Sequence, residues 1–155
     1  MANDLIKTAI KALETEVFVT AVYSYLAKSP GEDGKFADDL SRIVEMERTH
    51  IGYWHGFLRR RTGRMPSFKP GVVRLAVYQM LFRVLGRGLT LRLMETSENQ
   101  AIELYSLLLE EPGLSEEERQ RLGQVLEDEL VHERLLFKEG SQYAGFIVHV
   151  KDAVL

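Results

Sequence analysis

The feature that most constrains the fold of this chain is a set of acidic residues in the middle of apolar helical stripes. Read at alternating spacings of three and four, four segments each give a stripe of the kind that a helical bundle buries. Each stripe is apolar at both ends and carries a glutamate, or a glutamate with a histidine, at its centre. These central residues are Glu16, Glu47, His50, Glu98, Glu129 and His132.

Turn-forming residues separate the four stripes and predict an all-α fold. The predicted long helices are at about 3–28, 35–61, 89–110 and 116–139, with a short apolar helix at 72–85. Ser115 and Glu118 form a capping-box pattern at the start of the fourth long helix. The long connection between the second and third helices favours a four-helix bundle with a crossover. We therefore expect one domain over residues 1–139 and a C-terminal tail over 140–155.

The composition narrows the functions open to such a bundle. The chain has 155 residues, of which 45% are hydrophobic, so one domain can bury a sizeable core. The absence of cysteine excludes disulfides, iron–sulfur clusters and cysteine-held zinc, and it favours a reducing, cytoplasmic compartment. No signal peptide is recognisable at the N-terminus. A net charge of −3 does not favour nucleic-acid binding, and no apolar run reaches the ~18 residues of a membrane span.

Four buried carboxyl groups require a counter-charge. One buried carboxylate is costly and four in one place repel one another, yet no lysine or arginine lies on the stripes. Bound cations would neutralise the group, whereas a purely structural polar core of protonated acids is the alternative. Because carboxylates with neutral imidazoles suit iron or manganese better than magnesium, we predict two iron ions as the cofactor, with manganese as the second choice.

An internal repeat supports the metal prediction. The same number of residues separates the two core glutamates of the first helix pair and those of the second pair. The later glutamate of each pair, Glu47 or Glu129, begins an E-x-x-H motif whose two side chains lie on one helix face. One such motif has little weight, but two at matched positions are specific. A glutamate from each of two helices and E-x-x-H from each of the other two form the ligand set of di-iron and di-manganese bundles.

These residues resemble the ferritin-like superfamily and, within it, the rubrerythrin-like branch. The segments GLTLRLMETSENQAIELYSLL and LEDELVHERLL are similar to the N-terminal ferritin-like domain of membrane-bound ferritins, which belong to the vacuolar iron transporter family. The resemblance extends from about Ala12 to the end, where FIVHVKDAVL resembles the approach to the first membrane helix of that family. It implies a ferritin-like di-iron oxidase, or ferroxidase, at the cytoplasmic face of a membrane, serving an iron-transporter domain beyond this chain.

The resemblance also implies a role for each site residue. Glu47 and Glu129 would bridge two ions, and oxygen or peroxide would be the oxidant. The terminal ligands would be Glu16, Glu98, His50 and His132. Glu95, on the third helix, is either a seventh ligand or part of a solvated face, and Tyr23 and Tyr105 either donate hydrogen bonds to the ligands or fill the core. Because binding needs neutral imidazole, the ions should be lost below about pH 6.

Three other functions stay open at this point. A rubrerythrin-like peroxidase is one, although the lack of cysteine removes its usual rubredoxin electron source. A quinone-ring hydroxylase is another, because RMPSFKP resembles the linker of demethoxyubiquinone hydroxylases. The third is a metal sensor or dimerisation module that binds ions without turnover.

Residues outside the stripes give weaker indications. We expect a homodimer, because symmetric homo-oligomers are common and residues 72–85 offer apolar surface. The same residues could instead cap the bundle or lie along a membrane surface. The basic run at 59–61 is either a solvated helix end or a contact for lipid or a partner. Trp54 continues a core stripe and should pack there. Surface or loop positions are expected for His55, Glu127, Asp128 and His149.

Overall fold

The computed structural model describes residues 2–29 and 34–152, and within those ranges it contains helices and turns but no strand. Its helices, in chain order, are α1 (Ala2–Ala27), α2 (Gly34–Thr62), α3 (Val72–Leu109) and α4 (Glu116–Asp152). The all-α prediction is confirmed. Among the described residues, no helix combines the length and the apolar character needed to cross a membrane.

The helices pack in two pairs, α1 with α2 and α3 with α4, and α1 also meets α3 while α2 meets α4. Two apolar clusters fill the interior. The first joins the start of α1 and α4 to the end of α2 and α3, and Leu13 and Trp54 are among its buried residues. The second joins the later part of α1 and the first part of α2 to the middle of α3 and of α4, and it includes Leu40 and Met94. A segment of every helix therefore lies between two apolar layers.

Helix α3 combines the predicted helices at 72–85 and 89–110. They form one helical element that is interrupted at Gly86, whose φ of 74° and ψ of 173° are not helical. Only glycine adopts that backbone conformation readily, because a Cβ atom would clash there. The sequence thus predicted both segments, but the connection between them is a single kinked residue rather than a loop.

Helix α4 is longer than predicted, since it continues to Asp152 instead of ending near residue 139. Gly140 was the signal for the earlier end. A glycine inside a helix costs only about 1 kcal/mol relative to alanine, and no proline follows it in the chain. Most of the predicted tail is therefore helical, and its last residues, 153–155, lie outside the described part.

The ends of α2 and α4 are joined by specific polar contacts. Gly63, with φ of 70°, caps α2, and its N–H donates to Arg59 O over 2.9 Å. The predicted capping box is confirmed, because Ser115 N–H donates to Glu118 Oε2 over 2.9 Å and Glu118 N–H donates to Ser115 Oγ over 3.2 Å. Arg61 Nε also donates to Glu118 Oε1 over 3.0 Å. One residue of the basic run is thus paired within the protein.

Candidate metal centre

The structure brings the six central polar residues together between the two apolar clusters. Each is at most 3% exposed, so none of them contacts bulk water to a useful extent. Helices α1 and α3 each supply one glutamate, while α2 and α4 each supply a glutamate and a histidine one turn apart. The six residues are Glu16, Glu47, His50, Glu98, Glu129 and His132.

The first half of the centre is arranged around His50. Its Nδ1 atom lies 3.1 Å from Glu129 Oε1, 3.5 Å from Glu47 Oε2 and 3.8 Å from Glu16 Oε2. Ligand atoms from these four residues lie within 4.8 Å of one another and could hold a metal ion. Three helices therefore converge on one small volume.

The second half repeats that arrangement around His132. Its Nδ1 atom lies 3.2 Å from Glu47 Oε1, 3.5 Å from Glu129 Oε2 and 3.7 Å from Glu98 Oε2. These four residues form a second group that could hold a metal ion. Glu47 and Glu129 belong to both groups, so the two halves share two carboxylates and are nearly symmetric.

Several of these buried atoms lie close together without bonding to one another. Both Oε atoms of Glu47, Oε1 of Glu129 and the Nδ1 atoms of His50 and His132 have no hydrogen-bond partner among the described residues. Buried polar atoms are nearly always hydrogen-bonded, so such a group requires an explanation. When the imidazoles are neutral, these atoms present lone pairs to a shared space, which is what a cation needs. A donor set of carboxylate oxygens and imidazole nitrogens fits iron or manganese.

Two tyrosines donate hydrogen bonds to the two glutamates that belong to only one ligand group. Tyr23 O–H donates to Glu98, and Tyr105 O–H donates to Glu16, and both hydrogen bonds are buried. Burial, with the charge of the adjacent carboxyl group, raises the pKa of each phenol well above its usual value, so both remain donors. Each tyrosine thus donates a hydrogen bond to the glutamate of the other helix pair.

The four carboxyl groups divide into two kinds. Burial and the neighbouring carboxylates raise the pKa of Glu16 and Glu98 well above the ordinary value. Burial also opposes ionisation of Glu47 and Glu129, but close polar contacts with a neighbouring glutamic acid and with the imidazoles outweigh it and lower the pKa of both. In the metal-free protein, the two shared residues therefore ionise more readily than the other two.

The imidazoles supply the matching positive charge. Burial lowers the pKa of a histidine, but the surrounding carboxyl groups outweigh burial here, raising the pKa of His132 to about 12 and that of His50 likewise well above its usual value. In the metal-free protein the imidazoles therefore carry positive charge, which offsets negative charge on the carboxyl groups.

The two halves differ at the outer nitrogen of each histidine. Asp128 Oδ2 lies 3.1 Å from His50 Nε2, although its side chain is 37% exposed and was predicted to face solvent. His132 Nε2 has no hydrogen-bond partner among the described residues, and the position on α2 that corresponds to Asp128 is Met46. An acceptor at Nε2 favours the tautomer that leaves Nδ1 free for a metal. Of the two histidines, only His50 has such an acceptor at Nε2 within the described part of the chain.

The Asp128 contact gives a test of that asymmetry. Asp128→Asn is expected to weaken binding of one of two divalent ions by about 10- to 100-fold and to leave the other unchanged. Calorimetry with manganese(II) would resolve the two affinities. Glu127→Gln, which changes the exposed neighbour of Asp128, is the matched control. Equal weakening of both ions would show that Asp128 acts on the whole centre rather than through His50.

Between α1 and α3, a wall of side chains separates the centre from an open surface groove. A cavity of about 10 Å³, room for roughly one water molecule, is bounded by the four carboxyl groups. An open groove of about 460 Å³ lies outside it. The wall between the two consists of side chains that line both, among them Thr15, Ser97 and Ala101. On the opposite face, a pocket of about 350 Å³ reaches His50 and Asp128.

The remaining sequence candidates lie outside the centre. Glu95 is in neither ligand group, and its side chain, which is 15% exposed, accepts a hydrogen bond from Arg92 over 3.0 Å. His55 is half-buried, with Nε2 3.1 Å from Pro66 O. Trp54 is buried as predicted. The side chain of His149 lies outside the described part of the chain.

Comparison with known proteins gave no match to a family model, to a curated protein or to a solved structure. The resemblance to the ferritin-like superfamily thus rests on the quoted segments and motifs. The arrangement of the buried glutamates and histidines is the stronger evidence about function, because it does not depend on any relative.

Proposed function

We propose that this chain is a ferritin-like four-helix bundle that binds two ferrous ions in the buried centre and oxidises them. The observation that most strongly supports this proposal is the pair of nearly symmetric ligand groups that share Glu47 and Glu129. The packing of α1 with α2 and of α3 with α4 supports such a bundle, with residues 63–85 as its crossover. Four carboxylates would balance two divalent ions, so binding needs no further counter-charge.

The chain would position and protect the ions. Glu47 and Glu129 would hold both ions at once, while the phenols of Tyr23 and Tyr105 fix the terminal glutamates. The apolar clusters on either side exclude water. When bound, two ferrous ions supply two electrons, which with two protons reduce dioxygen to hydrogen peroxide, or hydrogen peroxide to water. The cavity among the carboxyl groups is too small for a quinone ring.

The resemblance to membrane-bound ferritins supports a proposal about where in the cell this activity takes place. We propose that the chain acts at the cytoplasmic face of a membrane and handles iron for a transporter domain. Oxidation beside a transporter would control how much ferrous iron the transporter receives. This part of the proposal rests on the segments that resemble the family and not on the geometry of the centre.

An anaerobic ferrous titration followed by oxygen would test the proposed activity. We expect saturation at two ferrous ions per chain and a rapid rise in near-ultraviolet ferric absorbance after oxygen is added. His132→Ala should abolish the rapid phase, whereas Glu103→Ala, at an exposed position of α3, should not. Two tightly bound ions with negligible oxidation would instead favour a sensor or a manganese protein. No stoichiometric binding would mean that the polar centre is structural.

A further inference from the structure

The first part of α3 presents a row of apolar side chains to solvent. Val73, Val77, Met80 and Val84 recur at helical spacing on one face, and with Val72 they are between 45% and 81% exposed. We call these five residues the α3 stripe. Isolated exposed apolar residues are ordinary, but a contiguous row along a helix marks an interaction surface.

The opposite face of this segment is anchored to the bundle. Tyr78 packs edge-on against Phe18 of α1 with 5.2 Å between ring centroids, and Phe82 packs edge-on against Tyr25 at 6.3 Å. Leu75 also packs against the second apolar cluster. Because one face is fixed in this way, the α3 stripe faces outward.

The stretch of sequence that carries the stripe has charges of one sign only. Between Arg64 and Met94 the sequence contains no aspartate or glutamate. The basic residues of this stretch are Arg64, Lys69, Arg74, Arg83, Arg87 and Arg92. Since the whole chain has a net charge of −3, the rest of the molecule is acidic, and positive charge is concentrated beside the stripe.

Two of these arginines flank the stripe. At 100° per residue, Arg74 and Arg83 project on opposite sides of the row, about 90° from its centre. Both are exposed, and the Arg74 guanidinium also lies 3.8 Å from the centroid of the Phe18 ring. An apolar row with arginines on both sides is the pattern of a helix that lies in a membrane interface.

We propose that the α3 stripe and its flanking arginines dock this chain onto an anionic lipid surface. The apolar side chains would enter the boundary between headgroups and acyl chains, and the arginines would contact lipid phosphates and carboxylates. A second copy of the chain fits this surface less well, because it would bring the flanking arginines of both copies together without acidic partners. The complementary charge is that of the lipid.

Sedimentation of the full chain with lipid vesicles tests this proposal. We expect binding to vesicles of phosphatidylcholine with phosphatidylserine, little binding to phosphatidylcholine alone, and weaker binding at high salt. Val77→Glu should reduce binding roughly tenfold, and Arg83→Glu should reduce it at least about tenfold. Leu107→Glu and Arg42→Glu make the same changes at exposed sites away from the stripe and should bind like the unaltered chain.

Light scattering and thermal unfolding complete the test. All four variants should unfold at the temperature of the unaltered chain, because they change exposed side chains. Equal binding to neutral and anionic vesicles, or no binding to either, would overturn the proposal. So would a dimer in solution that Val77→Glu converts to monomer, since the stripe would then be covered by a second copy of the chain.

Discussion

A rise of one pH unit near neutrality is expected to increase the affinity of the centre for each of two divalent ions about tenfold, because each ion would displace the proton of one imidazole. The surrounding carboxyl groups raise the pKa of His50 and His132, so both imidazoles keep their protons at neutral pH in the metal-free protein. A metal ion would bind the neutral imidazole and release that proton.

The direction of this dependence follows from the pKa shifts. In a histidine of ordinary pKa, a proton would compete with the metal for the ring nitrogen only below about pH 6. The pKa of His132 is raised to about 12, so a proton competes with the metal there throughout the neutral range. In the metal-free protein, the stability contributed by this shift is complete below the unfolded pKa near 6.5 and declines as the pH rises towards the folded value. Metal binding strengthens over the same interval, so the thermal stabilisation by metal should grow with pH.

Calorimetry with manganese(II) in buffers of different ionisation enthalpy measures the released protons directly. Manganese(II) serves because it binds the same kind of ligands without rapid oxidation by air. Glu103→Ala is the control for a general change in charge, since this glutamate is exposed on α3. An affinity that does not depend on pH would show that the ions bind elsewhere or that the metal-free centre does not hold these protons.

The sequence was sufficient to predict which side chains meet in the bundle. A polar residue in the middle of an apolar stripe has to be buried, and four such stripes on separate helices can bury their polar residues only together. The pattern also predicted that Tyr23 and Tyr105 lie near the carboxyl groups. It could not predict that each phenol bonds the glutamate of the other helix pair, because helical periodicity gives the face of a residue but not its neighbour across the interface.

Residues at the edge of a stripe were harder to place. Asp128 directly precedes Glu129, and the pattern assigned it to solvent, but α4 lies close enough to α2 for its carboxylate to reach His50. Glu95, one turn before Glu98, is instead held by Arg92 on its own helix. The Asp128 contact depends on the distance between neighbouring helices. The sequence contains no local signal for that distance.

The second large effect concerns the shared carboxylates. Glu129→Ala is expected to remove both metal ions, whereas Glu16→Ala is expected to remove only one. Glu129 belongs to both ligand groups, and its oxygens lie 3.1 Å from His50 Nδ1 and 3.5 Å from His132 Nδ1. Glu16 belongs to the first group only, so its loss leaves the group around His132 complete. Each lost ion should bind more than about 100-fold more weakly, beyond the usual effect of a residue that only orients a ligand.

Metal analysis of the two variants after titration with manganese(II) distinguishes the possible arrangements. Glu98→Ala is the matched counterpart of Glu16→Ala in the other half, and it should also retain one ion. Retention of one ion by Glu129→Ala would mean that the halves bind independently and that no carboxylate bridges them. Loss of both ions from Glu16→Ala would mean that the second ion binds only after the first. In that case the combined charge of the four carboxylates would determine whether either ion binds, because a single divalent ion cannot neutralise the carboxylates that remain.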